Sequence, residues 1–127
     1  MALAFVPRPG SIVMCDFEGH IAPEMVKKRR VVVISPLREF RYADDATVIV
    51  VPLSEVAPIT PLPWHHPIPN ERYRGLSACW AKGDLVAHAA LVRLDRIFYR
   101  KRWIIPVMNP IDLRAVRNAV GVAIGRS

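Results

Sequence analysis

The sequence is poor in the residues that cross-link small domains or bind metal ions. Its two cysteines, Cys15 and Cys79, are too few and too far apart for a disulfide scaffold or a zinc module, so we interpret them as core thiols. No apolar run approaches the roughly 18 residues that a membrane-spanning helix requires. The first ten residues lack the cationic start and the long apolar segment of a secretory signal. We therefore expect a cytoplasmic protein that is not associated with a membrane.

The motifs of several common enzyme classes are also missing. The sequence has no GxSxG motif, no glycine-rich phosphate loop and no pair of carboxylates at helical spacing. A serine hydrolase or a nucleotide-hydrolysing enzyme is therefore without support. His65 and His66 are adjacent, so on an extended segment their side chains point in opposite directions and do not converge on an ion. We expect no metal site and no cofactor.

The composition that remains is that of a basic globular protein. The 127 residues suit a single domain, residues 1–127, and 52% apolar against 23% charged residues excludes a disordered chain. The net charge is +7, and fourteen of the eighteen cations are arginine. Arginine presents a planar fork that matches phosphate geometry, which favours a nucleic-acid partner. Codon usage in a GC-rich genome would also enrich arginine.

Residues 24–36 form the most informative stretch. Four consecutive cations, Lys27 to Arg30, lead directly into Val31-Val32-Val33-Ile34, a β-branched run typical of a buried strand. One carboxylate, Glu24, lies just upstream. Like charges at this density repel each other unless an anion shares the site. The cluster is therefore either a solvated basic turn or a phosphate-binding site, and the stretch by itself leaves both open.

The hydrophobic pattern predicts several short strands followed by one helix. We expect strands at 11–17, 30–35, 47–51, 76–81 and 85–91, and short strands at 94–97 and 103–105. Pro52 should close the third strand, Asp44-Asp45 should form a turn, and residues 82–84 should form a hairpin turn. Asn109 should cap a helix whose apolar stripe includes Val116 and Ile124, with Arg117 facing outward. This order predicts a small β-barrel capped by a helix.

A proline-rich segment interrupts this pattern. Residues 52–75 contain six prolines, a density that favours extended polyproline conformation and excludes a central strand. Trp64 could stack on an unpaired base there, or bury its ring and pin the loop, which is the interpretation that we favour. Arg72-Tyr73-Arg74 ends the segment and resembles a nucleic-acid patch. We interpret His88, within an apolar strand, as a core histidine.

Taken together, these motifs resemble a known family. The stretches Gly10-Ser-Ile-Val with Asp16-Phe17, then Glu24-x-x-Lys27-x-Arg29-x-Val-Val-Val-Ile-Ser35, resemble the PemK/MazF toxins of type II toxin–antitoxin systems. Val51-Pro-Leu-Ser54 is similar to the family's Val-Pro-x-Thr segment. Trp80-Ala-Lys-Gly-Asp84 with Arg93-Leu-Asp-Arg-Ile97 is similar to a PemK-like branch that carries the proline-rich loop.

The resemblance implies a fold and an activity. The fold would be mainly β with a C-terminal helix, a small SH3-like β-barrel that usually forms a homodimer. The activity would be metal-independent cleavage of single-stranded RNA, in which the 2′-hydroxyl attacks the adjacent phosphorus, with a cognate antitoxin protein as inhibitor. Arg29 matches the strand-two arginine that contacts the scissile phosphate, Glu24 the acidic residue upstream, and Ser54 the family's threonine. We therefore take Arg29, Glu24 and Ser54 as candidate catalytic residues.

The charge pattern adds candidate RNA-binding residues and some departures from the family. The candidates are His20, Lys27, Lys28, Arg30, Arg72, Tyr73 and Arg74. Arg30 stands where the family usually has proline. The Arg-x-Asp pair of some members is absent, since Ala87 and Ala89 fall near its position. The alternative is thus a non-catalytic barrel that binds nucleic acid or protein, as a regulator or as a gyrase poison of the same fold.

Overall fold

The computed structural model describes residues 2–19, 27–37 and 46–126. The strands are β1 Ile12–Asp16, β2 Lys28–Val33, β3 Thr47–Ser54, β4 His65–Ile68, β5 Cys79–Lys82, β6 Ala87–Ala90, β7 Leu94–Asp95, β8 Ile97–Tyr99 and β9 Arg102–Ile104. One α-helix, α1, follows at Pro110–Ala123, and short 3₁₀ turns occur at Gly83–Leu85 and Leu91–Arg93. Within the described ranges, no helix has the length and apolar character needed to span a bilayer.

The strands form one large antiparallel sheet and one small ribbon. The sheet runs in the order β4-β5-β3-β2-β1-β7, with β6 beside β3, and β8 pairs with β9 alone. The expected class, mainly β with one C-terminal helix, is confirmed. Closure into a barrel is not, because among the described strands no ladder joins β4 to β7 at the two ends of the sheet.

Strand β2 explains why the sheet has two buried faces. Val31, Val32 and Val33 are all fully buried, and successive side chains point to opposite faces. Val32 packs in the cluster that contains Val116 of α1, whereas Val31 and Val33 pack in a second cluster with Leu3. Each buried valine stabilises the fold by about 1.5–3 kcal/mol relative to an exposed one. The uninterrupted β-branched run is thus required by burial on both faces.

The predicted end of the third strand was wrong. Strand β3 continues through Pro52 to Ser54, and it changes neighbours there. Val50 to Pro52 pair with β2, while Leu53 and Ser54 pair with β5. Proline has no N–H to donate and is found at such breaks in a ladder. Pro52 therefore marks the end of the ladder with β2 and not the end of β3, which continues with β5 on its opposite edge.

The proline-rich segment was also only partly interpreted correctly. It contains β4, which pairs with β5 through Pro67 opposite Trp80. Strand β4 is an edge strand in the sheet order, where a missing N–H can face away from the ladder. Trp64 is half-buried, and its carbonyl oxygen accepts a hydrogen bond from the Gly83 N–H at 2.8 Å. This contact agrees with a tryptophan that anchors the loop.

The predicted hairpin at residues 82–84 is absent as well. Strand β5 pairs with β3 and β4, and β6 pairs with β3, so the 3₁₀ turn Gly83–Leu85 joins two strands that follow each other along one edge of β3. Gly83 is buried against α1, and a Cβ there would lie 2.9 Å from the Ala119 carbonyl carbon. His88 is exposed on β6, so its interpretation as a core histidine was wrong.

Helix α1 begins as predicted and ends earlier. The Asn109 side chain accepts a hydrogen bond from the Asp112 N–H at 2.7 Å, which caps the first turn. Val116 is fully buried, but Ile124 lies past the last helical residue and is 72% exposed. Arg117 does not simply face outward, since its Nε and Nη2 donate to the Ile34 carbonyl at 3.0 and 2.8 Å. The helix is thereby tied to the end of β2. The predicted turn at Asp44-Asp45 lies outside the described residues.

Candidate active site

The four consecutive cations fall at the start of β2 with different degrees of exposure. Lys27, Lys28 and Arg29 are exposed, and Arg30 is half-buried. The alternation of the strand places Arg29 on the face of Val31, and Lys28 and Arg30 on the face of Val32. Within the described ranges, no ion pair or side-chain hydrogen bond engages Lys27, Lys28 or Arg29. None of these three charges thus forms an ion pair with a described residue, although Asp16 of β1 lies opposite Lys28 in the ladder.

Arg29 lies in a row of residues that crosses the sheet. It pairs with Cys15 of β1. The β2–β3 ladder ends with Val31 opposite Pro52, and its register, continued by two residues, aligns Arg29 with Ser54. Ser54 in turn pairs with Trp80. Directly opposed residues in antiparallel strands point to the same face. The β2–β3 ladder thus ends two residues short of Arg29 and Ser54, which are 25 residues apart in sequence, and the same register carried further would point both side chains to one face.

The Ser54 hydroxyl is held by a local turn. Its Oγ accepts a hydrogen bond from the Val56 N–H at 3.2 Å and lies 3.4 Å from the Val56 carbonyl, to which it donates. A hydroxyl has one donor and two acceptor sites, so one acceptor site remains. The side chain is half-buried at the end of β3. The turn fixes the direction of the hydroxyl, which partly replaces the rotamer restriction that a threonine methyl would supply.

Arg30 lies between two open clefts on the opposite face. Its Nε donates to the Gly75 carbonyl at 3.1 Å. One cleft, of about 420 Å³, is also lined by Lys28, and the other, of about 490 Å³, is also lined by Arg74 and Arg100. Arg74 is exposed. The structure thus brings the candidate RNA-binding residues Lys28, Arg30 and Arg74 to neighbouring surfaces.

Two candidates cannot be placed. Glu24 and His20 lie outside the described residues. Their roles, as the upstream acidic residue and as an RNA-binding histidine, stay predictions.

Two other candidates belong to a buried polar network around Asp112. The Tyr73 hydroxyl donates to Asp112 Oδ2 at 2.6 Å and accepts from the Asn109 N–H at 3.0 Å. Arg72 Nη1 donates to both Asp112 oxygens, at 3.0 and 3.2 Å, and His66 Nε2 lies 3.1 Å from Oδ1. The Tyr73 side chain is only 8% exposed. The prediction that Tyr73 contacts RNA is therefore not supported: its ring is enclosed, and Arg72 beside it is already paired.

The network sets the protonation of its members. Burial would raise the pKa of Asp112, but hydrogen bonds from Tyr73, His66 and Arg72 outweigh it and hold that pKa below its usual value. Burial and the hydrogen bond to the Asp112 carboxylate raise the pKa of Tyr73 to about 12. Asp112 is therefore a carboxylate and Tyr73 a phenol across the physiological range. Asp112, which lies in the first turn of α1, is thus the centre of a buried cluster.

The described residues support neither a reactive cysteine nor a metal site. Burial raises the pKa of Cys15 and of Cys79 to about 11, so both thiols stay protonated, as expected of core cysteines. Within the part of the chain that the structure describes, no three His, Cys, Asp or Glu side chains converge on a point where an ion could bind. Adjacent His65 and His66 do point apart, His65 towards Asp84 and His66 towards Asp112.

Sequence reasoning missed a second cationic surface next to the start of β2. Arg93 Nη1 donates to the Asp16 and Glu18 carbonyls at 2.8 and 3.0 Å, and Arg96 lies over the Trp103 ring. These residues line the same cleft as Lys28 and Arg30. The dense cations at Arg100-Lys-Arg102 were visible in the sequence, but only the pairing of β8 with β9 and the position of β7 beside β1 bring this region to the cleft.

Comparisons with known proteins agree with one another. Residues 8–120 match the family described as PemK-like, MazF-like toxin of type II toxin-antitoxin system. An uncharacterized protein of Haemophilus influenzae is 26% identical over 137 residues, which cover 95% of this chain and 92% of that protein.

Solved structures with the same fold include toxins alone and with a partner. MazF of Deinococcus radiodurans is 21% identical, covering 95% of this chain and 98% of its own, with a TM-score of 0.69. An endoribonuclease from a mycobacterial species, solved in complex with its cognate antitoxin, is 16% identical, covering 96% of this chain and 98% of its own, with a TM-score of 0.65. At these identities the likeness establishes the fold.

Proposed function

The chain belongs to the PemK-like, MazF-like toxin family of type II toxin–antitoxin systems, and on that premise we propose that it is a metal-independent endoribonuclease that cleaves single-stranded RNA in the cytoplasm. The observation that supports the proposal is the exposed Arg29 at the start of β2, for which no ion pair with a described residue is found. A scissile phosphate bound there would supply the missing negative charge.

The reaction that fits this arrangement takes its nucleophile from the substrate. The 2′-oxygen of one nucleotide forms a bond to the adjacent phosphorus, and the bond from phosphorus to the 5′-oxygen of the next nucleotide breaks. The products are a 2′,3′-cyclic phosphate and a free 5′-hydroxyl, which receives a proton. Negative charge develops on the non-bridging oxygens in the transition state, where a fixed guanidinium and hydrogen-bond donors stabilise it most effectively.

The roles of the three candidates differ in kind. Guanidinium groups stay protonated in proteins, so Arg29 acts electrostatically and not as a proton donor. Ser54 lies where its hydroxyl could bind a phosphate oxygen or the attacking hydroxyl. We assign Glu24 one of two roles: it removes the 2′-hydroxyl proton, or it orients Arg29. The second role remains open because the cations that neighbour Glu24 in sequence favour its charged form and weaken it as a base.

The partners of the toxin follow from the same surface. The mycobacterial endoribonuclease forms a complex with its cognate antitoxin, and we propose that an antitoxin likewise binds this chain and prevents RNA from reaching the cations at the start of β2. We also propose a homodimer, because apolar side chains such as Val56, Val92 and Ile111 are 71%, 77% and 81% exposed.

One observation favours the non-catalytic alternative. Ala87 and Ala89 of β6 occupy the region where some members carry an Arg-x-Asp pair, and both pair with β3 valines. These two positions therefore supply no proton-transfer side chain, and His88 between them points to the other face of β6. A binding protein of the same fold would retain the cations and lack the reaction.

The direct test is cleavage of a mixed single-stranded RNA pool by the purified protein in excess EDTA, with both new ends mapped. We expect cuts that leave a 2′,3′-cyclic phosphate and a 5′-hydroxyl. Matched substrates with 2′-deoxyribose or 2′-O-methyl at the mapped site should resist. Activity that disappears on chelation and returns with magnesium, or cleavage of the deoxy substrate, would refute the mechanism. Tight RNA binding without any cut would support the non-catalytic alternative.

A further inference from the structure

The β8–β9 ribbon presents two aromatic rings to solvent. Phe98 and Trp103 are directly opposed across the ribbon, with ring centroids 4.8 Å apart. Their side chains are 58% and 51% exposed, although each is large enough to be worth burying. Ile97, which points to the other face of β8, is 1% exposed and packs in the core. Core packing therefore does not explain the exposure of Phe98 and Trp103.

Arginine side chains lie over one aromatic ring on each face of the ribbon. The Arg96 guanidinium lies 5.2 Å from the centre of the Trp103 ring, and that of Arg100 lies 5.1 Å from the centre of the Tyr99 ring. Lys101 and Arg102 are exposed at the tip. Stacked aromatic rings interleaved with arginine are the combination that binds unpaired nucleotides, since the rings stack on bases and the cations attract the phosphates.

The turn at the tip keeps its cations at a conformational cost. Arg100 and Lys101 form a two-residue loop, and both have positive φ, 48° and 66°. Such a loop is the tight turn that strongly prefers Asn-Gly, because residues with a Cβ are strained in this region. Strained backbone that persists in a folded protein is concentrated at functional sites. The presence of Arg-Lys instead of Asn-Gly is therefore consistent with a role for the two charges themselves.

The ribbon continues into the 420 Å³ cleft at the start of β2. Phe98 and Trp103 line this cleft together with Lys28 and Arg30. Its two carboxylates, Asp16 and Asp95, face four cations, so the cleft as a whole is positive. A strand of RNA lying along it would run from the ribbon towards the cations on β2.

The charge of the tip argues against self-association through this surface. A two-fold dimer places the same patch of both subunits against each other. Contact through the ribbon would then bring Arg100, Lys101 and Arg102 of each copy together, where like charges repel. A polyanion is the occupant that complements both the rings and the charges.

We propose that the β8–β9 ribbon is a binding platform for single-stranded RNA, in which Phe98 and Trp103 stack on unpaired bases while Arg100 and Lys101 contact phosphates. The proposal rests on the proposed function for the identity of its ligand, and it adds a substrate-binding surface apart from Arg29 and Ser54.

The first test removes one ring and measures binding without cleavage. A fluorescent single-stranded RNA that is 2′-O-methylated throughout serves as the probe, and its anisotropy gives the dissociation constant. Trp103→Ala should weaken binding about 5- to 150-fold, as expected for the loss of one base stack. Phe5→Ala is the matched control, because Phe5 is 54% exposed and does not line the cleft, and it should bind like the wild type.

The second test separates the charges from the shape of the turn. The double variant Arg100→Asn, Lys101→Gly replaces the strained pair by the preferred Asn-Gly, so its melting temperature should equal or exceed that of the wild type. Its RNA affinity should nevertheless fall, and the slope of log affinity against log salt should decrease by about 1.4, for two lost phosphate contacts on a single strand. If the turn had only a structural role, the RNA affinity of the double variant would keep the salt dependence of the wild type.

The outcomes distinguish this inference from the proposed activity. If the wild type cleaves no RNA but the ribbon variants lose affinity for the probe, the activity is wrong and the platform stands. If the wild type cleaves RNA and the folded ribbon variants bind the probe normally, the platform is wrong. Unchanged RNA binding combined with lost binding of an acidic antitoxin would assign the ribbon to a protein partner and would likewise overturn the proposal.

Discussion

Two groups of cations in this molecule differ in how their charge is balanced. Around Asp112, the side chains of Arg72 and His66 converge on one buried carboxylate that also accepts a hydrogen bond from Tyr73. At the start of β2, Lys28 and Arg29 lie exposed with no ion pair to any described residue. The first group has its counter-ion inside the protein. The second group has no ion-paired counter-ion among the described residues.

The comparison shows why composition alone did not separate structural from functional cations. Arg72-Tyr73-Arg74 and Lys27 to Arg30 look alike in sequence, as basic residues beside a loop. Only the fold reveals that Arg72 pairs with a carboxylate 40 residues further along the chain. Substitutions in the first group should therefore change stability, and those in the second should change RNA cleavage or binding.

The largest effect is expected for Arg29→Ala. Loss of one transition-state contact typically lowers the rate by about 100- to 1000-fold, while the exposed position predicts an unchanged melting temperature. Cleavage of a mapped RNA site under single-turnover conditions measures the first, and a thermal melt measures the second. Arg114→Ala, an exposed arginine of α1, is the control and should cleave normally. Undiminished cleavage by folded Arg29→Ala protein would remove Arg29 from the site.

Asp112→Ala should lower the stability of the fold and leave RNA cleavage intact, the reverse of the effect of Arg29→Ala. It leaves the buried Tyr73 hydroxyl, the Arg72 guanidinium and the His66 ring without their acceptor, at a cost of about 3 kcal/mol in the free energy of unfolding. Urea denaturation checks this value, and cleavage should persist at a temperature where the variant is folded. Asp84→Ala is the matched control, because Asp84 is 43% exposed and lies 4.0 Å from a histidine. A loss as small as that of the control would mean that the network contributes little.

The stabilisation by Asp112 should disappear in acid. Because the folded-state pKa of Asp112 is lowered, its contribution is present above the unfolded-state pKa of about 3.9 and is lost as pH falls through the folded value. The difference in unfolding free energy between wild type and Asp112→Ala should thus narrow between neutral pH and pH 2. The raised pKa of Tyr73, about 12, predicts a second loss of stability as pH rises above about 10. A difference that is constant with pH would contradict this account.

The smallest effect is expected for Lys28→Ala. One exposed ammonium contacts at most one phosphate, so the slope of log affinity against log salt should decrease by about 0.7 for single-stranded RNA. Anisotropy titrations with a 2′-O-methylated RNA at several salt concentrations provide the measurement. An unchanged slope would mean that the cations of β2 do not contribute equally to the RNA surface.

Local signals predicted part of the fold. The run Val31 to Ile34 is buried as its β-branched residues indicate, and Asn109 caps α1 through the interaction that an asparagine before proline predicts. Both outcomes depend on residues that are close in sequence. Arg29 and Ser54 could be proposed from a family resemblance, and as site residues they stay predictions, because the β2–β3 ladder ends at Val31 opposite Pro52.

Non-local pairing decided the features that were not predicted. Strand β3 passes through Pro52 because β5 pairs with Leu53 and Ser54 on the edge opposite β2, and β4 forms inside a proline-rich segment because β5 offers it a ladder. Tyr73 is buried because Asp112 and Asn109, far along the chain, satisfy its hydroxyl. No window of a few residues contains that information.

The way in which β5 is held between β3 and β4 has a consequence for proteolysis. Residues 55–64 connect β3 to β4, and Ile59 near their middle is fully exposed. Strand β4 is nevertheless retained by its ladder with β5 and by the contact of His66 with Asp112. A protease that cuts near Ile59 should therefore yield two fragments that stay associated and co-elute as one folded species. This ten-residue connection would then be dispensable as a covalent link.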